Sequence, residues 1–261
     1  VDLAEACEMV ELREIARLFE AVWGRNEDGA PFSTEVLRSI VHAGGAVTVA
    51  RDSGSTRLLG AAVLGISPGD ETYSFVAAAA PGCSDRGIGY AVKLRQRAWA
   101  LERGMSVMRW TFDPLVSRNA RFNLVKLGAH ADEYIESFYG VMADLLNGGQ
   151  ESDRLVAVWP LESPKAVAAT EGTLSEPGPP PADSDVLGSG PDGHPAHRHL
   201  DGNHWIRVPA DIVELRAADG AAATAWRETV RTAFETALGQ GLMADAITRD
   251  GWYHLVQKEN S

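Results

Sequence analysis

A chain of 261 residues with 45% apolar side chains is long enough to bury one large core or two small ones, and its formal net charge of −12 excludes sequence-independent binding to nucleic acid or to an anionic membrane surface. No run approaches the roughly 18 apolar residues that a membrane-crossing helix needs, and two cysteines, Cys7 and Cys83, make no disulfide framework. The opening Val1-Asp2-Leu3-Ala4-Glu5 lacks the basic and apolar regions of a secretory signal, so the expected compartment is the cytoplasm, with both thiols reduced.

In chain order, apolar groups at Leu3, Ala6, Val10, Ile15, Leu18, Phe19 and Val22 predict a helix across 3–22. A second short helix is predicted over Thr34–His42, stopped by Gly44-Gly45. Ala46–Arg51 and Leu58–Ile66 read as paired strands around the turn Asp52-Ser53-Gly54-Ser55. A short apolar run over 72–80 is closed by Pro81-Gly82, as a buried strand would be, and helical spacing follows over 89–102. Gly87 and Gly89 therefore sit where a strand turns into a helix. Glycine there lets backbone N–H groups converge, and a helix start with free N–H groups suits a phosphate-type anion. The segment lacks the Gly-x-x-x-x-Gly-Lys-Ser/Thr loop, and Val92 stands where a dinucleotide fingerprint would place its third glycine. On these residues alone a tight turn without a ligand fits equally well. Cys83, beside this turn, reads as small buried filler.

Val107–Phe112 reads as a strand, 118–128 as a helix, and 131–137 and 155–160 as strands, which completes a mixed unit over 1–161. Residues 162–203 are rich in Pro, Gly and Ser and read as a linker or long surface loop. His194, His197 and His199 cluster there; with no second ligand pair nearby, a solvated loop is expected and a metal is not. The tail, 204–261, reads as strand, helix, strand, strand. Asp219 caps the helix, whose apolar positions include Ala222, Trp226, Val230, Ala233 and Ala237.

Arg86-Gly87-Ile88-Gly89 resembles the pyrophosphate loop of the GNAT acyltransferases, Arg/Gln-x-x-Gly-x-Gly/Ala, with Ser84 in its first place. Asn119-Ala120 followed by Lys126-Leu127-Gly128-Ala129 is similar to the family's Asn-x-x-Ala…Lys-Leu-Gly-Phe segment. The likeness extends to the branch found beside N-acylamino-acid racemase genes. It is carried by Trp23-Gly24, Lys93, Gln96-Arg97, Trp110-Thr111-Phe112-Asp113-Pro114-Leu115, Phe122-Asn123, Tyr134, Tyr139-Gly140, Asp144, Asn147, Gly149 and Ser152-Asp153-Arg154, and covers most of 15–161.

This resemblance implies an α/β fold with a mixed, strongly twisted GNAT-like sheet flanked by helices, here with a C-terminal strand-helix-strand-strand extension packed on the core. It implies acetyl-CoA or another acyl-CoA as co-substrate and N-acylation (acetyl or succinyl) of an amino acid or similar small-molecule amine. The pyrophosphate would lie against Arg86, Gly87, Ile88, Gly89, Tyr90 and Ala91. A backbone N–H among Val76, Ala77 and Ala78 would polarise the thioester carbonyl. Asn119 and Asn123, on the next helix, would touch the cofactor. Many family members carry a tyrosine as acid where this chain has Leu124, so Tyr134 or Tyr139 is expected to replace it, while Asp113 is expected to hold a substrate ammonium. The branch's histidines on the strand before the loop are replaced by Tyr73-Ser74-Phe75, and Glu71 is left as a base or a strand cap. Lys93, Gln96 and Arg97 read as a solvated helix face, and Asp153-Arg154 as a buried pair. Two other readings stay open: a non-catalytic CoA- or metabolite-binding protein, and a scaffold whose 205–256 segment binds a protein. The oligomeric state is equally open, with a homodimer among the options.

Overall fold

The computed structural model describes residues 1–24, 32–83, 86–142 and 150–258. Ser84 and Asp85 of the glycine loop, and Asp144, Asn147 and Gly149 of the resemblance, lie outside the described residues. The chain divides into two compact units, Val1–Trp110 and Thr111–Ser261. No helix among the described residues is long and apolar enough to cross a membrane.

The first unit runs β1 (Asp2–Glu5), α1 (Met9–Trp23), α2 (Thr34–His42), β2 (Ala46–Arg51), β3 (Leu58–Ile66), β4 (Glu71–Ala79), α3 (Ile88–Leu101) and β5 (Val107–Phe112), of which 107–110 belong to this unit. Its strands lie in the order β1-β2-β3-β4-β5. Neighbours are antiparallel except β4 and β5, which are parallel and joined through α3, because a parallel pair needs a crossover. The helix expected across 3–22 begins only at Met9; residues 2–5 instead pair with β2, from Asp2↔Arg51 to Glu5↔Thr48. Leu3 and Ala6 have the three-residue spacing of a helix, but Ala6 N–H donates to Val47 O at 2.8 Å, continuing the sheet edge.

Helices α1 and α2 cover one face of this sheet, where Leu12, Ile15, Phe19 and Leu37 meet Val47, Val49, Ala61, Val63 and Ala78. Helix α3 covers the other, where Ile88 and Val92 meet Ala50, Leu59, Ala62 and Cys83. The start of α3 approaches β3 closely at Gly60. A Cβ there would lie 2.5 Å from Ile88 Cγ2 and 2.7 Å from the Ala78 carbonyl oxygen.

Strand β4 carries a one-residue bulge. Val76 pairs with Val63 but Ser74 pairs with Leu64, so Phe75 is the extra residue. The bulge reverses which faces the strand's side chains address. Val76 and Ala78 pack with α1, whereas Ser74, of the same parity, is hydrogen-bonded to α3. The Phe75 ring turns over Gly65, where a Cβ would lie 2.6 Å from Phe75 Cε2.

The second unit runs α4 (Ser117–Arg121), a single π turn (Phe122–Lys126), β6 (His130–Ile135), β7 (Val141–Met142), β8 (Gln150–Glu151), β9 (Arg154–Pro160), α5 (Pro164–Thr170), β10 (Asp185–Ser189), β11 (Pro195–Leu200), β12 (Asn203–Arg207), α6 (Ile212–Ala218), α7 (Gly220–Gly239), β13 (Leu242–Ile247) and β14 (Trp252–Gln257). Its main strands lie in the order β9-β6-β13-β14-β12-β11-β10, all neighbours antiparallel; β7 and β8 pair separately. Helix α7 packs on β6, β12 and β13, burying Trp226, Val230, Phe234 and Ala237. Phe234 stacks on Tyr134 at 5.8 Å and meets Tyr253 edge-on at 5.1 Å.

Residues 162–203 were expected to be a linker or surface loop, and they contain α5, β10 and β11. Ser163 caps α5 by accepting from Ala166 N–H, and Pro164 opens it, where a missing N–H costs nothing. Pro195 is tolerated as the first residue of β11. The segment 171–184, which holds the Pro-Gly-Pro-Pro-Pro run, is the part without regular structure. Asp219 caps α7 as expected, accepting from Ala222 N–H. Helix α6 was not anticipated; Asp211 caps it through Val213 and Glu214 N–H.

Gly60→Ala is expected to destabilise the protein by about 1–3 kcal/mol, because the added methyl must push backbone as well as the Ile88 side chain. Urea denaturation measures it, and an unchanged midpoint and slope would show that α3 does not seat on Gly60.

Candidate active site

The start of α3 has the features of an anion cradle. Gly87, with φ of 73°, takes the left-handed conformation that favours glycine, and its carbonyl accepts the first helical bond, from Ala91 N–H. The N–H groups of Ile88, Gly89 and Tyr90 thus lack helical acceptors, and nothing caps them among the described residues. The first turn carries no acidic side chain. A Cβ at Gly82, Gly87 or Gly89 would meet nothing within 4 Å among the described residues. Arg86 is exposed beside it. Cys83 is fully buried, as expected of filler, with Arg57 Nη2 3.3 Å from its sulfur. Backbone N–H donors beside an exposed arginine are the kind of donor set that a pyrophosphate takes.

The strand leading into this loop offers a second row of donors. The β4–β5 ladder ends at Tyr73↔Arg109, so from Ser74 onward β4 has β3 on one edge and, among the described residues, no ladder partner on the other. Ala80 N–H donates to Leu59 O at 2.8 Å. Strand alternation then directs the N–H groups of Ala78 and Val76 to β3 and those of Ala77 and Ala79 to the open edge. Of the three positions expected to polarise a thioester, the register singles out Ala77 and turns Val76 and Ala78 away.

Where β4 and β5 part lies a buried polar cluster. Lys93 and Gln96, expected in solvent, are 3% and 0% exposed. Lys93 Nζ donates to Ser74 Oγ at 2.8 Å and stands 3.8 Å from the centre of the Trp110 ring. Ser74 Oγ donates to Gln96 Oε1 at 3.0 Å, and Gln96 Nε2 has no partner. Ser74 and Trp110 are the first residues beyond the last β4–β5 pair, so the amine sits at the apex of the opening on its α3 side. Burial pushes the Lys93 amine down to about 7. The sequence did hold a signal: 93 and 96 fall within the stripe of Ile88, Val92, Trp99 and Ala100 that α3 buries. Glu71, expected as a base or cap, is paired with Arg109 at 2.8 Å.

In the second unit two of the three expected catalytic groups, Asp113 and Tyr134, are held by other side chains. Asp113 Oδ2 accepts from Arg216 Nη2 at 2.7 Å and from Arg227 Nη2 at 3.1 Å, and Oδ1 accepts from Leu115 N–H at 2.9 Å. Burial alone would push this carboxyl up; the charges of Arg227 and Arg216, with the hydrogen bonds from Arg216 and Leu115, outweigh it and hold the group below the usual carboxylate range. Asp113 is therefore the anchor that ties α6 and α7 to the end of β5, and it has no oxygen free for a substrate ammonium. Tyr134 OH donates to Asp153 Oδ2 at 2.6 Å; burial and this bond push its ionisation far up, which makes it a poor donor to a departing thiolate. Asp153 pairs with Arg231 at 2.9 Å, not with its neighbour Arg154, whose guanidinium lies 5.4 Å from the Tyr139 ring centre. Tyr139 is 53% exposed. Asn119 is the exposed third residue of α4 rather than its cap, Asn123 is turned inward in the π turn, and Leu124 is fully buried. His197, expected in a solvated loop, is buried on β11 with Nε2 3.1 Å from His204 Nδ1, and no group of three His, Cys, Asp or Glu suited to a metal occurs among the described residues.

Asp113→Asn leaves Arg216 and Arg227 buried without their counter-charge, with Nε and Nη1 of Arg227 already lacking partners. The expected loss is about 3–5 kcal/mol at pH 7, read by chemical denaturation. Because the folded carboxyl titrates below its unfolded value, the wild-type advantage is full at neutral pH and shrinks as pH falls below about 4. An Asn variant as stable as wild type at pH 7 would contradict the anchor.

No family model and no curated protein matches the chain. Solved structures do. A GNAT-family protein from Desulfovibrio desulfuricans superposes with a TM-score of 0.50 at 15% identity, over 61% of this chain and 98% of the other. The ribosomal-protein-S18-alanine N-acetyltransferase of Escherichia coli gives 0.49 at 15% identity, over 62% and 94%, and a Bacillus subtilis acetyltransferase in complex with CoA gives 0.47 at 14%, over 60% and 97%. The superposition on the first of these shows that the chain has the fold of the GNAT acetyltransferases.

Proposed function

We propose that this protein is an acyl-CoA-dependent N-acyltransferase, transferring an acetyl or succinyl group to the amine of an amino acid or similar small metabolite. The observation that carries the reading is the helix start at Gly87–Tyr90, uncapped among the described residues, on the chain that leaves the edge of β4 with no ladder partner among them. The backbone N–H groups of Ile88, Gly89 and Tyr90 bind the pyrophosphate, with Arg86 adding a surface charge. The outward N–H groups of Ala77 and Ala79 accept an extended amide-bearing arm as a further strand would be accepted, and Ala77 N–H orients the thioester carbonyl. The bound acyl-CoA supplies an activated thioester; the chain positions it and manages the protons.

Calorimetric titration with CoA tests the site. The wild type is expected to bind, and Gly89→Glu to weaken binding roughly a hundredfold or more, since two like charges about 4 Å apart repel by about 4 kcal/mol near a protein surface. Equal affinity in a folded Gly89→Glu protein would remove the site from α3. The non-catalytic alternative is favoured by Leu124 and by the absence of histidine on β4. Free-thiol release from acetyl-CoA and succinyl-CoA, screened against amino acids and an alanine-terminated peptide, separates the two: CoA binding with no release by any acceptor would favour the binding protein.

A further inference from the structure

We propose that Lys93, acting through the Ser74 hydroxyl, carries the proton in acyl transfer, taking it from the attacking amine and returning it to the departing sulfur. The inference rests on the acyltransferase reading and supplies what that reading lacks, an acid and a base. Leu124 has no proton to give, β4 carries no imidazole, and the Tyr134 proton is held by Asp153.

Three observations carry it. The Lys93 amine lies at the apex of the β4–β5 opening, against Ser74 and Trp110, the residues that follow the last pair between the two strands. Among the described residues it has no carboxylate partner; its hydrogen bond is to Ser74 Oγ. The charged groups on the elements around it are engaged elsewhere or lie apart: Arg95 of α3 pairs with Glu5, Glu71 of β4 pairs with Arg109 of β5, and Arg97 is half-buried on α3. Desolvation is the cause of the lowered basicity. An apolar side chain would fill this place without the penalty of a buried unpaired amine, so packing alone does not account for lysine there.

The step balances. As the acceptor nitrogen bonds to the thioester carbonyl carbon, Ser74 takes a proton from that nitrogen and passes its own, turned from Gln96, to the neutral Lys93 amine. Lys93 then returns a proton through Ser74 to the sulfur as the C–S bond breaks. Amine and thioester become amide and thiol, and Lys93 ends neutral.

The chain has four lysines, Lys93, Lys126, Lys165 and Lys258, so ¹³Cε-lysine NMR resolves each titration in the full-length protein. One resonance is expected to titrate near neutral pH and to be missing from both Lys93→Met and Lys93→Arg. CoA affinity by calorimetry should be unchanged in both variants. Amine-dependent thiol release should fall roughly a hundredfold in Lys93→Met. Lys93→Arg should not rescue it, because guanidinium stays protonated. The wild-type rise of kcat/KM with pH through the NMR midpoint should vanish in both. A Lys93 midpoint above 9, measured on the wild type and so independent of any variant's folding, overturns the proposal. So does a Lys93→Met protein that binds CoA and keeps its rate and pH profile. Failure of the wild type to bind CoA at all sinks the acyltransferase reading itself, and is distinguished by the NMR midpoint, which needs no cofactor.

Discussion

A single inserted residue in β4 organises the first unit. With Phe75 bulged out, the strand keeps its hydrogen bonds to β3 yet changes the face its side chains address, so Val76 and Ala78 close the core under α1 while Ser74 turns to α3. The bulge bends and twists the strand, and the parallel ladder to β5 stops two residues earlier, at Tyr73↔Arg109. An edge that would have been covered is left open, leading straight to the glycine turn at the start of α3. The register set by this one residue turns Ser74 toward α3, where Lys93 donates to its hydroxyl.

The second unit settles its charges differently. Its buried acids each hold more than one partner: Asp113 binds Arg216 and Arg227, and Asp153 binds Tyr134 and Arg231. Such groups fix helices α6 and α7 onto the sheet, and their protons are not available for chemistry near neutral pH. Lys93 is the contrast. It is as deeply buried as Asp113 but has no counter-charge among the described residues, and burial lowers its basicity toward neutrality. Two carboxylates and one amine with similar burial thus take opposite roles, decided by what stands beside each.

Local chemistry was legible in the sequence wherever it acts over a few residues. Gly87 and Gly89 after a closed apolar run announced a strand-to-helix turn, Asp219 announced its helix, and the paired strands around Asp52–Ser55 fell at Ala46–Arg51 and Leu58–Ile66. The resemblance built on Trp110–Leu115 and Lys126–Ala129 led to the fold that the solved structures also support. The short elements β1, α5, β10 and α6 were not anticipated, because each is held by partners outside itself. Strand β1 exists through β2, and β10 through β11.

What the sequence determined by itself is therefore the class of the fold, the position of the glycine turn at the start of α3 and the presence of leucine at 124, since these depend on residue type and on spacing within one turn or strand. Tertiary structure alone decided which carboxylates are occupied, which N–H groups of β4 face outward and which helix face is buried. A bulge is invisible in a run such as Tyr73-Ser74-Phe75-Val76, because nothing local distinguishes the inserted residue from its neighbours. Only the register with β3 identifies it, and only that register carries Ser74 to Lys93. Lysine was read as solvent-facing because its charge favours water; the packing of α3 on β4 placed it where burial lowers its basicity to about 7.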